Sequence, residues 1–207
     1  MYVEYCNYNR YIESYESELK HIFLALENDL KGLALPIHMI REIKEYMPED
    51  IVLAAPVDFP SGYASTKARN FMILNSLQSG ANAIDYVPNQ YLFRCKYKEF
   101  LGEIKVAKAM CDDYVATFRM FLDYHHISNI VNFSRICHEL GVEIAFPTIG
   151  YHHDDFFDNL IAANLIETKT EMSTIFNGYI WKKDQLDLVL STEIFGLRLY
   201  NLNLWCN

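Results

Sequence analysis

Apolar, β-rich runs alternate with helix-patterned stretches along the whole chain. Val3 to Asn7 reads as a first strand. Ser14 to Asn28 reads as a helix, with Leu19, Ile22, Phe23 and Leu26 on one face at helical spacing. Gly32 to Leu35 is a short strand closed by Pro36, Ile37 to Tyr46 a helix, and Ile51 to Val57 a run suited to burial on both faces, as in parallel sheets. The rhythm continues with a helix from Ser65 to Ser79 stopped by Gly80, a strand from Ala83 to Val87, one long helical region from Tyr91 to about Cys111, and a strand within Tyr114 to Leu122. Ser128 is expected to cap a helix that runs to Leu140 and stops at Gly141. A strand to Phe146, a helix from Asp154 to Leu165, a strand from Met172 to Phe176, a helix from Lys183 to Leu190 and a strand from Gly196 to Tyr200 complete the pattern.

Eight strands and seven helices in strict alternation predict a parallel sheet with helices outside it. Their even spacing favours a closed (β/α)8 TIM barrel over an open doubly wound sheet, in one domain spanning residues 1–207 without linkers. Only seven residues follow Tyr200, so the eighth helix is expected to be missing or reduced. The outer faces of strands eight and one would then be partly bare. Leu202, Leu204 and Trp205 would cover some of that surface, and a second copy or another protein the rest. The competing expectation is that the tail and a shifted first helix close the gap within one chain.

Composition narrows the partners. With 51% hydrophobic residues the chain can bury a real core, and its net charge of −9 argues against sequence-independent binding of nucleic acid, which needs a basic surface. Its apolar stretches are strand-sized, below the ~20 residues that span a bilayer, and the first residues lack a signal-peptide pattern. Cys6, Cys95, Cys111, Cys137 and Cys206 form no CxxC pair, which predicts reduced thiols in a cytoplasmic protein and no zinc site of that kind. No cofactor is called for.

One stretch carries a family resemblance. Asp58-Phe59-Pro60-Ser61-Gly62, then Thr66, Arg69, Gly80-Ala81-Asn82-Ala83-Ile84-Asp85 and Asn89, resembles deoxyribose-phosphate aldolase, with Arg69 where that family usually has lysine. Glu103-Ile104-Lys105, the strand end from Ala145 to Tyr151 and the segment from Ile175 to Ile180 are similar to further family motifs. The resemblance implies the same barrel. It also implies an aldolase that forms a Schiff base through a lysine on strand six, whose pKa is depressed by a second lysine on strand seven. Here those positions are Phe146 and Ile175, and strand five carries Arg119, a guanidinium that cannot form an imine. Asp85 on strand four is the family carboxylate that survives, and so the remaining catalytic candidate. The phosphate site implied after strands seven and eight is replaced by Gly178-Tyr179 and Leu199-Tyr200-Asn201.

Two readings follow. The first is a diverged barrel without Schiff-base activity that binds a small polar or anionic ligand through Asp58, Asn89, Arg119, Thr148, Asn177 and Gly178, or serves in an assembly. The alternative is an aldolase or lyase acting on a small phosphosugar through a relocated lysine, with Lys67 as a candidate beside the plainer reading of a solvated helix start, or through a divalent metal. His125-His126 and His152-His153 with Asp154-Asp155 follow strands five and six, on the face where barrel sites are built. They lack ligand spacings such as HxH, and the two acids also suit a helix start. Asp85 and Arg119 form the better internal pair, either a retained polar pocket or an ion pair in which neither charge can stay buried alone.

Overall fold

The computed structural model describes residues 1–8, 14–150 and 155–206. Eight parallel strands close into a barrel in chain order: β1 (Tyr2–Cys6), β2 (Gly32–Ala34), β3 (Val52–Val57), β4 (Ala83–Tyr86), β5 (Thr117–Phe121), β6 (Ile144–Phe146), β7 (Ser173–Phe176) and β8 (Gly196–Leu199). Pairing of Tyr2 with Gly196 through Tyr5 with Leu199 joins the last strand to the first. Between the strands lie α1 (Tyr15–Glu27), α2 (Ile37–Ile43), α3 (Thr66–Gln78), α4 (Gln90–Cys95), α5 (Tyr97–Asp113), α6 (Ile130–Glu139), α7 (Phe156–Lys169) and α8 (Lys183–Leu190).

The strand period of two divides two cores. Outward residues such as Val3, Tyr5, Leu33, Leu53, Ile84, Phe118, Leu197 and Leu199 belong to the large sheet–helix core. Inward residues fill the barrel: Cys6, Ala34, Ala54 and Ala83 in one cluster, Val87, Phe121, Phe146 and Ile175 in another. At the start of β1 the Tyr2 ring closes the interior. A Cβ on Gly32 would sit 1.9 Å from the Tyr2 hydroxyl, so only glycine lets that ring cross the barrel there.

Three expectations are corrected. The long helix after β4 is two helices, because Lys96 leaves the helical region at φ −143°, ψ 55°. The break turns Phe93 onto Phe100 (5.3 Å between ring centroids) and Phe133 (4.8 Å), which one straight helix would not do. The cap of α6 is Asn129, whose side chain accepts from the Asn132 amide at 3.0 Å, one residue beyond Ser128. The outer faces of β8 and β1 are not bare. A 3-10 turn, Leu202–Leu204, follows β8; Leu202 is buried, and the Trp205 indole donates to the Asn28 carbonyl at the end of α1 (3.3 Å). Val3, Tyr5, Leu197 and Leu199 are buried as a result.

Candidate functional site

Alternation brings Glu4, Asp85, Arg119 and Arg198 to the inner faces of β1, β4, β5 and β8, where all four are buried. They form a ring of ion pairs. Arg119 donates through Nε to Asp85 Oδ1 (2.6 Å) and through Nη1 to Glu4 Oε2 (2.7 Å). Arg198 donates through Nε to Glu4 Oε1 (2.6 Å) and through Nη2 to Asp85 Oδ2. The Tyr8 hydroxyl adds a bond to Asp85 Oδ2 (2.8 Å), and Tyr2 one to Glu4 Oε2 (2.7 Å). Two cations against two anions make the ring neutral, so none of the four charges is buried alone.

Burial opposes ionisation of Asp85, but the guanidinium groups of Arg119 and Arg198 outweigh it and hold its carboxyl below the usual range. Burial likewise opposes both arginine charges, and the carboxylates of Asp85 and Glu4 more than restore them. Beside the ring, burial pushes the Cys6 thiol up to about 12.

Phe146 lies against this ring. Its centroid is 4.1 Å from Cζ of Arg198 and 5.2 Å from Cζ of Arg119, within cation–π range. It stacks on Phe121 at 4.6 Å, Phe121 meets Phe59 at 5.6 Å, and Phe59 meets Tyr8 at 5.3 Å. With buried Val87 and Ile175 these rings plug the C-terminal half of the barrel. The two positions where the resemblance implies amines are therefore apolar and filled. All eleven lysines of the sequence lie among the described residues and none is buried; Lys67 at the start of α3 is exposed.

The other sequence candidates go elsewhere. Asp58 accepts from the Ala64 amide (2.8 Å) and from Arg69 Nε (2.8 Å), on the outside of the barrel. Arg69 is buried and also reaches the Tyr86 hydroxyl (2.5 Å), Glu103 and the Val87 carbonyl, while Thr66 donates to Glu103 at 2.5 Å. Asp58 thus belongs to a clamp between the loop after β3, β4, α3 and α5, not to the interior ring. Asn89 caps α4, accepting from the Leu92 amide at 3.0 Å. Asn177 donates to the Thr148 carbonyl at 2.7 Å, and both residues are buried. Gly178 packs so closely that a Cβ would lie 2.7 Å from the side-chain Nδ2 of Asn159. Next to it the Tyr179 ring stacks on Tyr200 at 4.7 Å and 14°, occupying the place where the resemblance implies a phosphate cradle. Open space remains at this rim in a groove of about 450 Å³ between Pro60, Tyr63, Gln90, Arg94, Asp123 and Ile149.

His152, His153 and Asp154 lie outside the described residues. Asp155 caps α7, accepting from the amides of Phe157 (2.9 Å) and Asp158 (3.1 Å). Among the described residues no group of three or more His, Cys, Asp or Glu could hold a metal ion. No helix among them is long and apolar enough to cross a membrane. Sequence reasoning missed Glu4, Arg198 and Tyr8. The first two carried a signal, a charge at an inward position of an alternating strand, in Tyr2-Val3-Glu4-Tyr5-Cys6 and Gly196-Leu197-Arg198-Leu199.

The closed parallel (β/α)8 barrel was compared with known proteins. The chain is similar to the deoxyribose-phosphate aldolase of Streptococcus pyogenes serotype M5 (strain Manfredo), with 29% identity over 94 residues, 44% of this chain and 41% of the relative. The matched segment thus spans less than half the length of that relative. In fold it matches an aldolase designated QR15 (TM-score 0.80, 15% identity, 96% of this chain and 89% of the other). It also matches the deoxyribose-phosphate aldolase of Aeropyrum pernix, a protein of tetrameric structure (TM-score 0.75, 15% identity, 95% and 83%). No protein-family model matches the chain. The similarity to deoxyribose-phosphate aldolases read from the sequence is thus found again by both comparisons.

Proposed function

We propose that this chain is a deoxyribose-phosphate-aldolase-like barrel without Schiff-base aldolase activity, which keeps the scaffold as a binding module. The reading rests on the interior: the reactive amine of such an aldolase must be buried beside the substrate carbonyl and partly deprotonated, and here the corresponding space holds Phe146 packed on two arginines. Arginine cannot replace it, because its guanidinium neither loses a proton nor forms a stable imine. Asp85, which would otherwise serve as an acid or base, is bound by two guanidinium groups and the Tyr8 hydroxyl and has no proton to exchange with a substrate.

What remains for a ligand is the rim groove, where Arg94 offers an exposed cation to a small anionic or polar molecule. The test is reductive trapping. After incubation with acetaldehyde or deoxyribose 5-phosphate and borohydride, the intact mass should be unchanged. A stable increase mapped to a lysine peptide would overturn the reading in favour of a relocated lysine. Cleavage of deoxyribose 5-phosphate that depends on added divalent metal would overturn it in favour of a metal-dependent lyase.

A further inference from the structure

The Tyr179 ring that stacks on Tyr200 also stacks on Trp181, at 5.5 Å between centroids and 17°. Three near-parallel rings thus line the barrel mouth beyond β7 and β8, and Trp181 is 68% exposed, so its ring is open to a ligand. A pocket of about 80 Å³ lies beside these rings, with Arg198 and Leu199 also in its wall.

Several polar atoms around the rings are unmet. The Tyr200 hydroxyl, Asn177 Oδ1, Arg198 Nη1 and both polar atoms of the Asn7 side chain are buried without a hydrogen-bond partner among the described residues. Asn7, Asn177 and Arg198 are buried as whole residues. They sit on or just beyond β1, β7 and β8, which are adjacent in the closed barrel. A Cβ on Gly150 would lie 2.5 Å from the Tyr200 hydroxyl and 3.1 Å from Asn177 Nδ2, so hydroxyl and amide are neighbours at that bare backbone. Buried polar groups are normally met by protein, by water or by a ligand, and this set restricts the ligand. Asn7 Nδ2 and Arg198 Nη1 need an acceptor, Asn7 Oδ1 and Asn177 Oδ1 need a donor, and the Tyr200 hydroxyl takes either. A carboxylate or a phosphate dianion only accepts, whereas a hydroxyl group both donates and accepts. The charge of Arg198 is also already balanced by Glu4 and Asp85.

We propose that the mouth at β7, β8 and β1 binds an uncharged polyhydroxylated ring, a free sugar or cyclic polyol, with one ring face on the aromatic side chains and its hydroxyl groups turned towards Tyr200 and Asn177. The C–H hydrogens on the face of such a ring suit the negative face of an aromatic side chain. A few placed polar groups beside apolar walls are what a small-molecule site requires. The proposal rests on the reading of the chain as a binding module and sharpens it from an anionic or polar ligand to an uncharged one. It places that ligand across the mouth from the Arg94 groove, whose residues follow β3 to β6.

Saturation-transfer NMR on the full chain, with D-glucose, D-xylose and myo-inositol as probes, reads the contact directly. At least one probe should bind saturably, with the strongest transfer to its ring C–H protons, and inorganic phosphate should neither bind there nor displace it. Trp181→Ala should weaken binding by about tenfold, with an unchanged circular dichroism spectrum because the side chain is exposed. Tyr200→Phe removes only the hydroxyl and should weaken binding by roughly three- to tenfold. No saturable binding of any of the three probes would overturn the proposal, leaving water to meet the buried groups. So would binding that neither variant weakens. Phosphate binding at this site in place of the probes would overturn it too and leave the binding-module reading standing, whereas that reading fails separately, on a lysine trapped by borohydride.

Discussion

Asp85 receives two guanidinium groups and a hydroxyl with no solvent contact, so its charge is compensated only while both arginines are in place. Removing one member of such a set strands the others, at about 3–5 kcal/mol for a buried pair. Asp85→Asn should therefore lower the urea midpoint at neutral pH by a corresponding amount, although it changes only one non-hydrogen atom. The pH dependence has a definite sign. The folded-state pKa of Asp85 lies below its unfolded value of about 3.9. The carboxylate's contribution is present above that unfolded value and fades as pH falls through the folded one. The gap between wild type and variant should thus narrow in acid, and an equal gap at about pH 3 and pH 7 would refute the assignment. The Asp85–Arg119 pair was legible in the sequence because the two residues hold the same inward position on neighbouring strands. Glu4 and Arg198 were not paired by any local rule. They lie 194 residues apart and meet only because the barrel closes. Asp58 and Asn89 stay outside the ring for a local reason: both are polar residues at strand ends, and bonds to a loop amide and a helix start use their side chains.

Element boundaries follow the same division between local chemistry and tertiary contact. The end of α6 was legible because Gly141, at φ +88°, closes it with bonds from its own amide to His138 and from Val142 to Cys137. The end of α5 has the same two bonds, Val115 to Asp112 (3.0 Å) and Ala116 to Cys111 (2.9 Å), but Val115 takes the left-handed position at φ +56°. A β-branched residue there carries no sequence signal for a stop, and the sequence placed the end only approximately, at about Cys111, short of the observed Asp113. The left-handed conformation costs an L-residue about 1–2 kcal/mol, of which glycine's extra freedom when unfolded returns about 0.5–1. Val115 is 93% exposed, so almost no packing is lost by replacing it. Val115→Gly should stabilise the protein by about 1 kcal/mol and raise Tm by about 2–4 °C. An unchanged or lower melting temperature would show that the strain is relieved elsewhere. The resemblance from Phe59 to Asn89 also has its meaning at this scale. Its polar residues Thr66 and Arg69, with Glu103 beyond it, build the clamp that fixes α3 and α5 to the end of β4.

For the whole molecule, the sequence pattern predicted the closed barrel, while the means of covering its last seam depended on packing that no periodicity encodes. After β8 a 3-10 turn places Leu202 in the sheet–helix core and leads Trp205 to the Asn28 carbonyl, which the end of α1 leaves free. Leu202 thus covers part of the seam between β8 and β1. Truncating a buried leucine costs about 2–5 kcal/mol, so Leu202→Ala should lower Tm markedly. The shift should be similar at every protein concentration, because the seam closes within one chain. Melting Leu202→Ala and the wild type across a hundredfold dilution tests this. If the Leu202→Ala defect instead shrinks at high concentration, a second copy is covering the β8–β1 seam.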